Sequence, residues 1–518
     1  MKKIVIDPLT RIEGHLKVEV VVDGGEVKEA RCAGTLFRGW EIILKGRHPL
    51  DAQRITQRVC GVCPTAHATA SSFALDDAFG IADRIPDNGR LLRNLILGCN
   101  YIQSHVLHFY HLAALDFVDV TAAADYEGED ADLQSVKAFI GRGALGPFVP
   151  RHEGDYRFSP EVNRALTAHY VQALRARRLA HEMLCIFGGK MPHSATIMPG
   201  GNSEVPTMDK ISTFLGKLSE VRNFIDTRYV PDVLAVAKAY PDHAGIGGGC
   251  NRYLAYGSFD LQGENVDRAT RERLLPQGLV TADGELQKID AAQITESVAS
   301  SWFSSPSKLH PSEGETEPAP HKEGGYSWLK SPRYDGKSTE VGPLARAMVA
   351  YSLGAEPLKG IVDSALGELG AGPDALHSVL GRHAARAIET KIVADAMVDW
   401  LLALKPGEPV CADWAVPDEA EGMGLTGAPR GALGHWIQIK DSVIDRYQLV
   451  VPTTWNAGPR DEEGQPGPIE QALEGTKVKD ADNPFEVLRI VRSFDPCLAC
   501  AVHVVNAHGS DIRRFRVA

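Results

Sequence analysis

Two cysteine pairs with the same two-residue gap lie at opposite ends of this 518-residue chain, Cys60-Gly61-Val62-Cys63 and Cys497-Leu498-Ala499-Cys500. A histidine follows each at short range, His67 and His503. A thiolate pair is a soft bidentate ligand set, and two pairs supply four sulfurs to one site. Any fold that uses both pairs together must bring its two ends around a common centre. A zinc ribbon closes over ~15–20 residues, whereas most of this chain separates Cys63 from Cys500. A chain this long buries a large core without such a staple. A dithiol redox motif needs one pair in a thioredoxin-like strand–helix setting, which Cys60 lacks. A four-thiolate iron–sulfur cluster and a catalytic site with two dissimilar metals both remain open.

Composition narrows the partners. Hydrophobic content of 44% and charged content of 24% are those of a soluble globular protein. The net charge of -12 and pI near 5.9 argue against nucleic acid or an anionic membrane as the main partner. The basic run Arg175-Ala176-Arg177-Arg178 reads as a solvated helix face. No window reaches the roughly 18–20 consecutive apolar residues of a membrane helix, so membrane association is expected only through partners. The apolar run after Lys2-Lys3 stops at Asp7 and makes no signal-peptide core. Export would then use an address carried by another chain. Nine cysteines are an odd number, and Cys32, Cys99, Cys185, Cys250 and Cys411 are scattered singly. They read as buried small apolar residues and not as a disulfide framework.

The order of patterns predicts an α+β fold, mainly helical. Residues 16–22, a turn at Asp23-Gly24-Gly25 and residues 26–30 read as a β-hairpin. From Asp51 the pattern turns helical, with Cys60 and Cys63 at a helix start or turn. Helical segments are expected at about 91–115, 160–187, 209–239, 344–353 and 374–404, a central bundle of long helices behind a small N-terminal β/α region. The Pro-, Ser- and Glu-rich stretch 300–340 is expected as an ordered excursion on the surface. After Leu404 the chain reads as loop-rich, through 429–434 and 451–456.

Glu13, in Thr10-Arg11-Ile12-Glu13-Gly14-His15, and Glu41, in Phe37-Arg38-Gly39-Trp40-Glu41, would each pass alone for a surface carboxylate. Taken with both cysteine motifs they do not. The chain resembles the large subunit of [NiFe]-hydrogenases. The resemblance is carried by the Arg-Ile-Glu-Gly-His element, Arg58-Val59-Cys60 through His67, and both cysteine pairs. It also rests on 326–334, the 429–436 stretch Pro-Arg-Gly-Ala-Leu-Gly-His-Trp, and the 451–456 stretch Val-Pro-Thr-Thr-Trp-Asn. It runs essentially end to end and implies the hydrogenase large subunit fold over a single unit, 1–518.

What the resemblance implies is specific. Cys60 and Cys497 would be terminal ligands to nickel, while Cys63 and Cys500 would bridge nickel and an iron carrying carbonyl and cyanide. The reaction would be reversible heterolytic cleavage of H2 to protons and electrons. Cys497 would be the first proton acceptor, Glu13 the outward relay, and Arg430 an electrostatic positioner over the open site. The Thr453 hydroxyl would donate to a cyanide, and Asp495 and His67 would orient the thiolates. Glu41, the Leu449 carbonyl and His503 would hold magnesium. Electrons would leave through an iron–sulfur small subunit, because no second cysteine set is left in this chain.

Residues 504–518 read by themselves as a small terminal hairpin. The resemblance instead makes them an extension removed between His503 and Val504 by a maturation endopeptidase once nickel chaperones have delivered the metal. The chain as given would then be the uncut precursor. The tail favours an enzyme over a hydrogen-sensing homologue, which typically ends at the motif histidine. Retained cysteine pairs exclude the quinone-module relatives of respiratory complex I, and cysteine at position 497 excludes the selenocysteine variety. The expected location is periplasmic, or the periplasmic face of the cytoplasmic membrane after export with the small subunit; a cytoplasmic enzyme would carry the same sequence.

Overall fold

The computed structural model describes residues 1–501 apart from 144, 149, 150 and 153, and excludes the side chains of Pro147, Cys500 and Ala501. The expected terminal hairpin, His503 and Val504 lie outside the described residues.

Strands Lys2–Ile6, Leu16–Asp23 and Glu26–Gly34 form an antiparallel sheet in that order. In the middle strand Leu16, Val18, Val20 and Val22 are buried and alternate with half-exposed residues, the period-2 pattern of a one-sided sheet. Gly24 and Gly25 take φ of 60° and 77°, as a two-residue hairpin turn with two left-handed positions requires. The sheet is already tied to the far end of the chain. Val27 N–H donates to the Thr476 carbonyl (2.9 Å), and Val478 N–H donates to that of Gly25 (2.9 Å).

Behind it lies the expected bundle. The helix Asp87–Leu107 is buried along nearly its whole length and packs between Pro160–Gly188 and Val379–Leu402. Such all-round burial marks the centre of a helical core. Two of the expected helices are interrupted. The 91–115 segment passes at His108–Ala113 into a wider π-turn, and 209–239 does so at Ile225–Tyr229 before resuming as Val230–Ala239. Pro231 explains the second, since it has no N–H to give and its ring crowds the carbonyl four residues back. The last long helix starts at Val379 because Ser378 Oγ caps the Gly381 N–H (3.0 Å).

Two expectations are overturned. The region after Leu404 contains a three-stranded antiparallel sheet, Ala420–Ala428, Gly431–Lys440 and Val443–Val450, followed by a short helix Pro452–Ala457. Its glycines mark close approach, not loop. A Cβ on Gly422 would fall 2.1 Å from the Ala74 carbonyl oxygen, and one on Gly424 would fall 2.0 Å from that of Ala70. The strand therefore lies directly on the backbone of the helix Pro64–Ala78. The end of the 300–340 stretch is likewise core and not surface. Leu329 and Ser331 are fully buried, Lys330 is held by Gln448 (2.9 Å) and Glu296 (3.3 Å), and Arg333 pairs with Asp461 at 2.6 Å. Each charge is admitted because an opposite charge or amide meets it.

Among the single cysteines, Cys32 and Cys99 are buried as expected, while Cys185, Cys250 and Cys411 are only partly so. In the basic run Arg175 is 61% exposed, yet Arg177 turns inward to Gln103.

Glu470, on the helix Pro468–Leu473, joins the two ends again. Its Oε1 accepts the Cys32 N–H (2.9 Å) and the Tyr326 hydroxyl (2.9 Å). Burial pushes its carboxyl up to about 7, against lowering by those two hydrogen bonds. A raised folded-state value means that the contribution is full below the unfolded value and is lost as pH rises through the folded one. The thermal midpoint of the wild type relative to Glu470→Gln should therefore fall between about pH 5 and pH 8. Differential scanning fluorimetry across that range checks it, and a constant difference would refute it.

Candidate metal centre

The N-terminal cysteine pair sits on a fixed turn. Cys63 immediately precedes the helix Pro64–Ala78, and Pro64 occupies the first helical position, where a missing N–H costs nothing. The Val62 N–H turns back to Cys60 Sγ (3.2 Å). The Val62 carbonyl accepts from Asn100 Nδ2 (2.9 Å) and Gln103 Nε2 (2.6 Å), neighbours on one face of the central helix. Gln103 Oε1 in turn accepts from Arg177 and lies 3.2 Å from His181 Nε2.

The C-terminal pair arrives from the other side. Asp495 adopts φ of 56°, a left-handed conformation that aspartate tolerates better than most residues. Arg430 grips it twice, through Nε to the Asp495 carbonyl (3.0 Å) and Nη2 to Oδ1 (3.0 Å), and reaches Ser104 Oγ at 3.3 Å. Both partners are at most 3% exposed. Burial opposes the Arg430 charge, but Asp495 and the neighbouring sulfurs of Cys497, Cys63 and Cys60 hold the guanidinium well above its ordinary value. The Cys497 N–H donates to Thr453 Oγ1 (2.9 Å).

The two ends meet at Glu13. Its N–H donates to the Pro496 carbonyl (3.3 Å), and its carbonyl accepts the Leu498 N–H (2.8 Å), so Glu13 and Cys497 form a parallel β-bridge. Its carboxylate Oε2 accepts the Ala499 N–H (2.8 Å) and the Cys497 thiol (3.0 Å). Burial raises the Glu13 value and the Cys60 charge adds to it, while the Cys497 and Ala499 hydrogen bonds and Arg430 pull it down. Gly14 has φ of 79°, and a Cβ there would stand 2.8 Å from both Ala499 N and Leu498 Cβ.

The ligand atoms of Cys60, Cys63 and Cys497 all lie within 4.8 Å of one another and are buried. Cys60 Sγ and Cys497 Sγ are 3.3 Å apart. That is far beyond a disulfide bond, and it matches the ~3.3–3.8 Å between sulfurs sharing one ion at metal–sulfur distances near 2.3 Å. The donor set and its spacing fit a soft transition metal. The Cys500 backbone belongs to the turn of helix Leu498–Ala501 that carries the pair, while its side chain lies outside the described residues.

Sequence reasoning missed Arg38 as a site residue. Its guanidinium donates to the Val59 carbonyl (2.5 Å) and to that of Ala499, spanning the two cysteine motifs, and it lies over the Trp40 ring (5.1 Å). No spacing rule could have found it, because its acceptors are backbone carbonyls. Asn100 and Gln103 escaped for the same reason.

Glu41 lies apart from the sulfurs. Its Oε1 accepts the Leu449 N–H (3.2 Å), and its Oε2 accepts the Thr316 hydroxyl. The Glu41 charge also acts on buried Glu296 and Lys330. These oxygens border a polar cavity of about 520 Å³ lined by Glu41, Glu315, Glu317, Asp445 and Tyr447 among others. The structure thus brings Glu41 and Leu449 together; the third expected ligand, His503, lies outside the described residues.

The family model for nickel-dependent hydrogenases matches residues 38–503, and a HoxL-like model matches 3–33. The periplasmic [NiFeSe] hydrogenase large subunit of Desulfomicrobium baculatum is 45% identical over 514 residues, covering 98% of this chain and 95% of that protein. The uptake hydrogenase large subunit of Rhizobium leguminosarum bv. viciae is 38% identical, covering 100% and 97%. The Ni-Fe-Se hydrogenase of D. vulgaris Hildenborough in the reduced state superposes with a TM-score of 0.86 at 44% identity, covering 97% of this chain and all of that one. This chain reads cysteine at all four motif positions. With its sulfur cluster and matched folds end to end, the chain belongs to the nickel-dependent hydrogenase family, as a large subunit that catalyses the cleavage of H2.

Proposed function

We propose that Cys60, Cys63, Cys497 and Cys500 would together hold a nickel and an iron. The single observation that supports the proton path is the contact of Glu13 Oε2 with Cys497 Sγ at 3.0 Å. Bound there, the metals supply Lewis acidity and the redox chemistry by which H2 is split. The chain's own residues manage the proton. Cys497 takes it on sulfur, and the Glu13 carboxylate, whose burial favours the protonated form, receives it at Oε2 and passes it outward. Arg430 stays charged and fixes the field over the sulfurs; a guanidinium so held is a poor base. Thr453 spends its oxygen on the Cys497 N–H and keeps a hydroxyl proton to offer a cyanide on iron. Asp495 orients the Cys497 motif through Arg430, and His67 faces the charge of Cys60.

Carbonyl and cyanide on the iron complete the centre in this reading. Magnesium would be held by two hard oxygen donors, Glu41 and the Leu449 carbonyl, and by the His503 imidazole, with water in the remaining positions. The whole chain acts as one unit, 1–518, whose residues 504–518 are removed after His503 by a maturation endopeptidase following nickel delivery by chaperones. Electrons leave through an iron–sulfur small subunit. Relatives named as periplasmic and as uptake enzymes support a periplasmic site of action, and among the described residues no helix is long and apolar enough to cross a membrane.

Metal analysis with infrared spectroscopy of the purified heterodimer should give nickel, iron and carbonyl and cyanide bands; a protein binding only zinc would overturn the assignment. Glu13→Gln should retain nickel and iron but lose H2-dependent dye reduction by about 10²–10⁴-fold. Full turnover in that variant would remove Glu13 from the proton path. Gly14→Ala should lose most of its bound nickel while keeping its helical circular dichroism, because the new methyl displaces the Leu498–Ala499 backbone.

A further inference from the structure

A charge taken out of water needs an opposite charge beside it, and nearly every buried arginine of this protein has one. Among the described residues the buried guanidiniums make ion pairs with carboxylates, as Arg346 does with Glu389 and Arg333 with Asp461, in all cases but two. Arg386 is the first. It donates to the carbonyls of Arg382 (3.1 Å) and Ser493 (3.1 Å), and the charge of Asp495 acts on it. Arg252 is the second, and it is less well provided for. Only 6% exposed, it makes one long hydrogen bond, from Nη2 to the Tyr334 carbonyl (3.4 Å), and its Nε has no partner. The guanidinium also lies over the Tyr334 ring, at 6.0 Å, the outer limit of a cation–π contact.

The place of Arg252 in the fold is fixed. It immediately precedes the buried strand Tyr253–Asp260, and its carbonyl accepts the Glu340 N–H (2.8 Å). Its side chain lines a cavity of about 330 Å³ that none of the cysteines of the metal centre borders. Two turns supply much of the rest. The turn after the strand Ser331–Tyr334 brings Lys337, which has no carboxylate partner, and Ser338, buried with its Oγ unbonded. The turn between the strands Arg273–Val280 and Leu286–Gln287 brings Asp283 and Glu285, which like Asp335 are exposed. The charges are therefore sorted by depth. Water and salt screen the exposed acids, while the buried guanidinium acts through a poorer dielectric. The inner wall attracts negative charge, and the acids outside limit how much of it can enter.

We propose that this cavity is a binding site for a small carboxylate of single negative charge. Arg252 holds the carboxylate oxygens through its planar guanidinium, whose donors match a planar anion, and Lys337 adds a second positive charge. The ligand supplies the counter-charge that the fold withholds from Arg252. A dianion such as phosphate would gain the same arginine but meet Asp283, Glu285 and Asp335 with twice the charge, so it is the weaker ligand. The site is independent of what the cysteines bind.

Isothermal titration calorimetry of the purified heterodimer with sodium acetate, at ionic strength held constant with chloride, tests the proposal. The wild type should give a saturable isotherm for acetate and a weaker one for phosphate. Absence of saturable acetate binding would overturn the site, and phosphate binding as tightly as acetate would overturn the choice of a carboxylate. Arg252→Gln should weaken acetate by about tenfold or more, the loss of a charged hydrogen-bond donor set; an unchanged isotherm would put the acetate elsewhere and overturn the proposal. Should Arg252→Gln not fold, the exposed pair Asp283→Asn and Glu285→Gln, made together, decides it. That variant should bind acetate more tightly and narrow the gap to phosphate, and unaltered affinities for both anions would overturn the proposal.

Discussion

The pairing of Glu13 with Cys497 is the constraint on which the rest depends. Two backbone hydrogen bonds and two side-chain ones converge on a single residue near the N-terminus and fix a motif near the other end. Such a contact closes a loop of nearly the whole chain, and the entropic cost of closure grows only slowly with loop length. The remaining ties distribute the load. Val27 with Thr476, Cys32 with Glu470 and Arg492 with the Thr10 carbonyl each join the same two regions. A metal site built from both ends then lies among ties that the chain itself makes between those ends.

Around that closure the protein buries several charged pairs. Arg346 with Glu389, Arg382 with Glu340, Arg93 with Asp76 and Arg430 with Asp495 are all nearly inaccessible. Removing one partner of such a pair strands the other, at roughly 3–5 kcal/mol, whereas the intact pair adds little net stability. Their value is geometric. Bidentate guanidinium–carboxylate contacts fix orientation, and the Arg430 pair fixes the left-handed residue two positions before Cys497.

How much of this the sequence discloses depends on the range of the signal. Helices expected at 160–187 and 374–404, found at Pro160–Gly188 and Val379–Leu402, are carried by local periodicity, and the Gly24-Gly25 turn by backbone freedom, so both are legible. The three-stranded sheet after Leu404 is not, because Gly422 and Gly424 look like loop residues until the helix beneath them is known. Lys330 and Arg333 looked like surface residues for a related reason: their counter-charges, Glu296 and Asp461, lie far away in sequence. At the site, cysteines and Glu13 are legible through their motifs. Arg38, Asn100 and Gln103 act through backbone carbonyls, which composition does not record.

The grip of Arg38 on the Val59 and Ala499 carbonyls bears on how the protein is made. During synthesis Cys60 and Cys63 emerge hundreds of residues before Cys497, and a lone CxxC pair is an efficient trap for zinc or copper. Until the last segment of chain arrives, the guanidinium has only one of its two seats and the sulfur pocket is an open half-site. Translation order thus sets a window of metal vulnerability that closes only when the final helix docks. Growth under excess zinc should therefore poison nascent chains far more than finished ones.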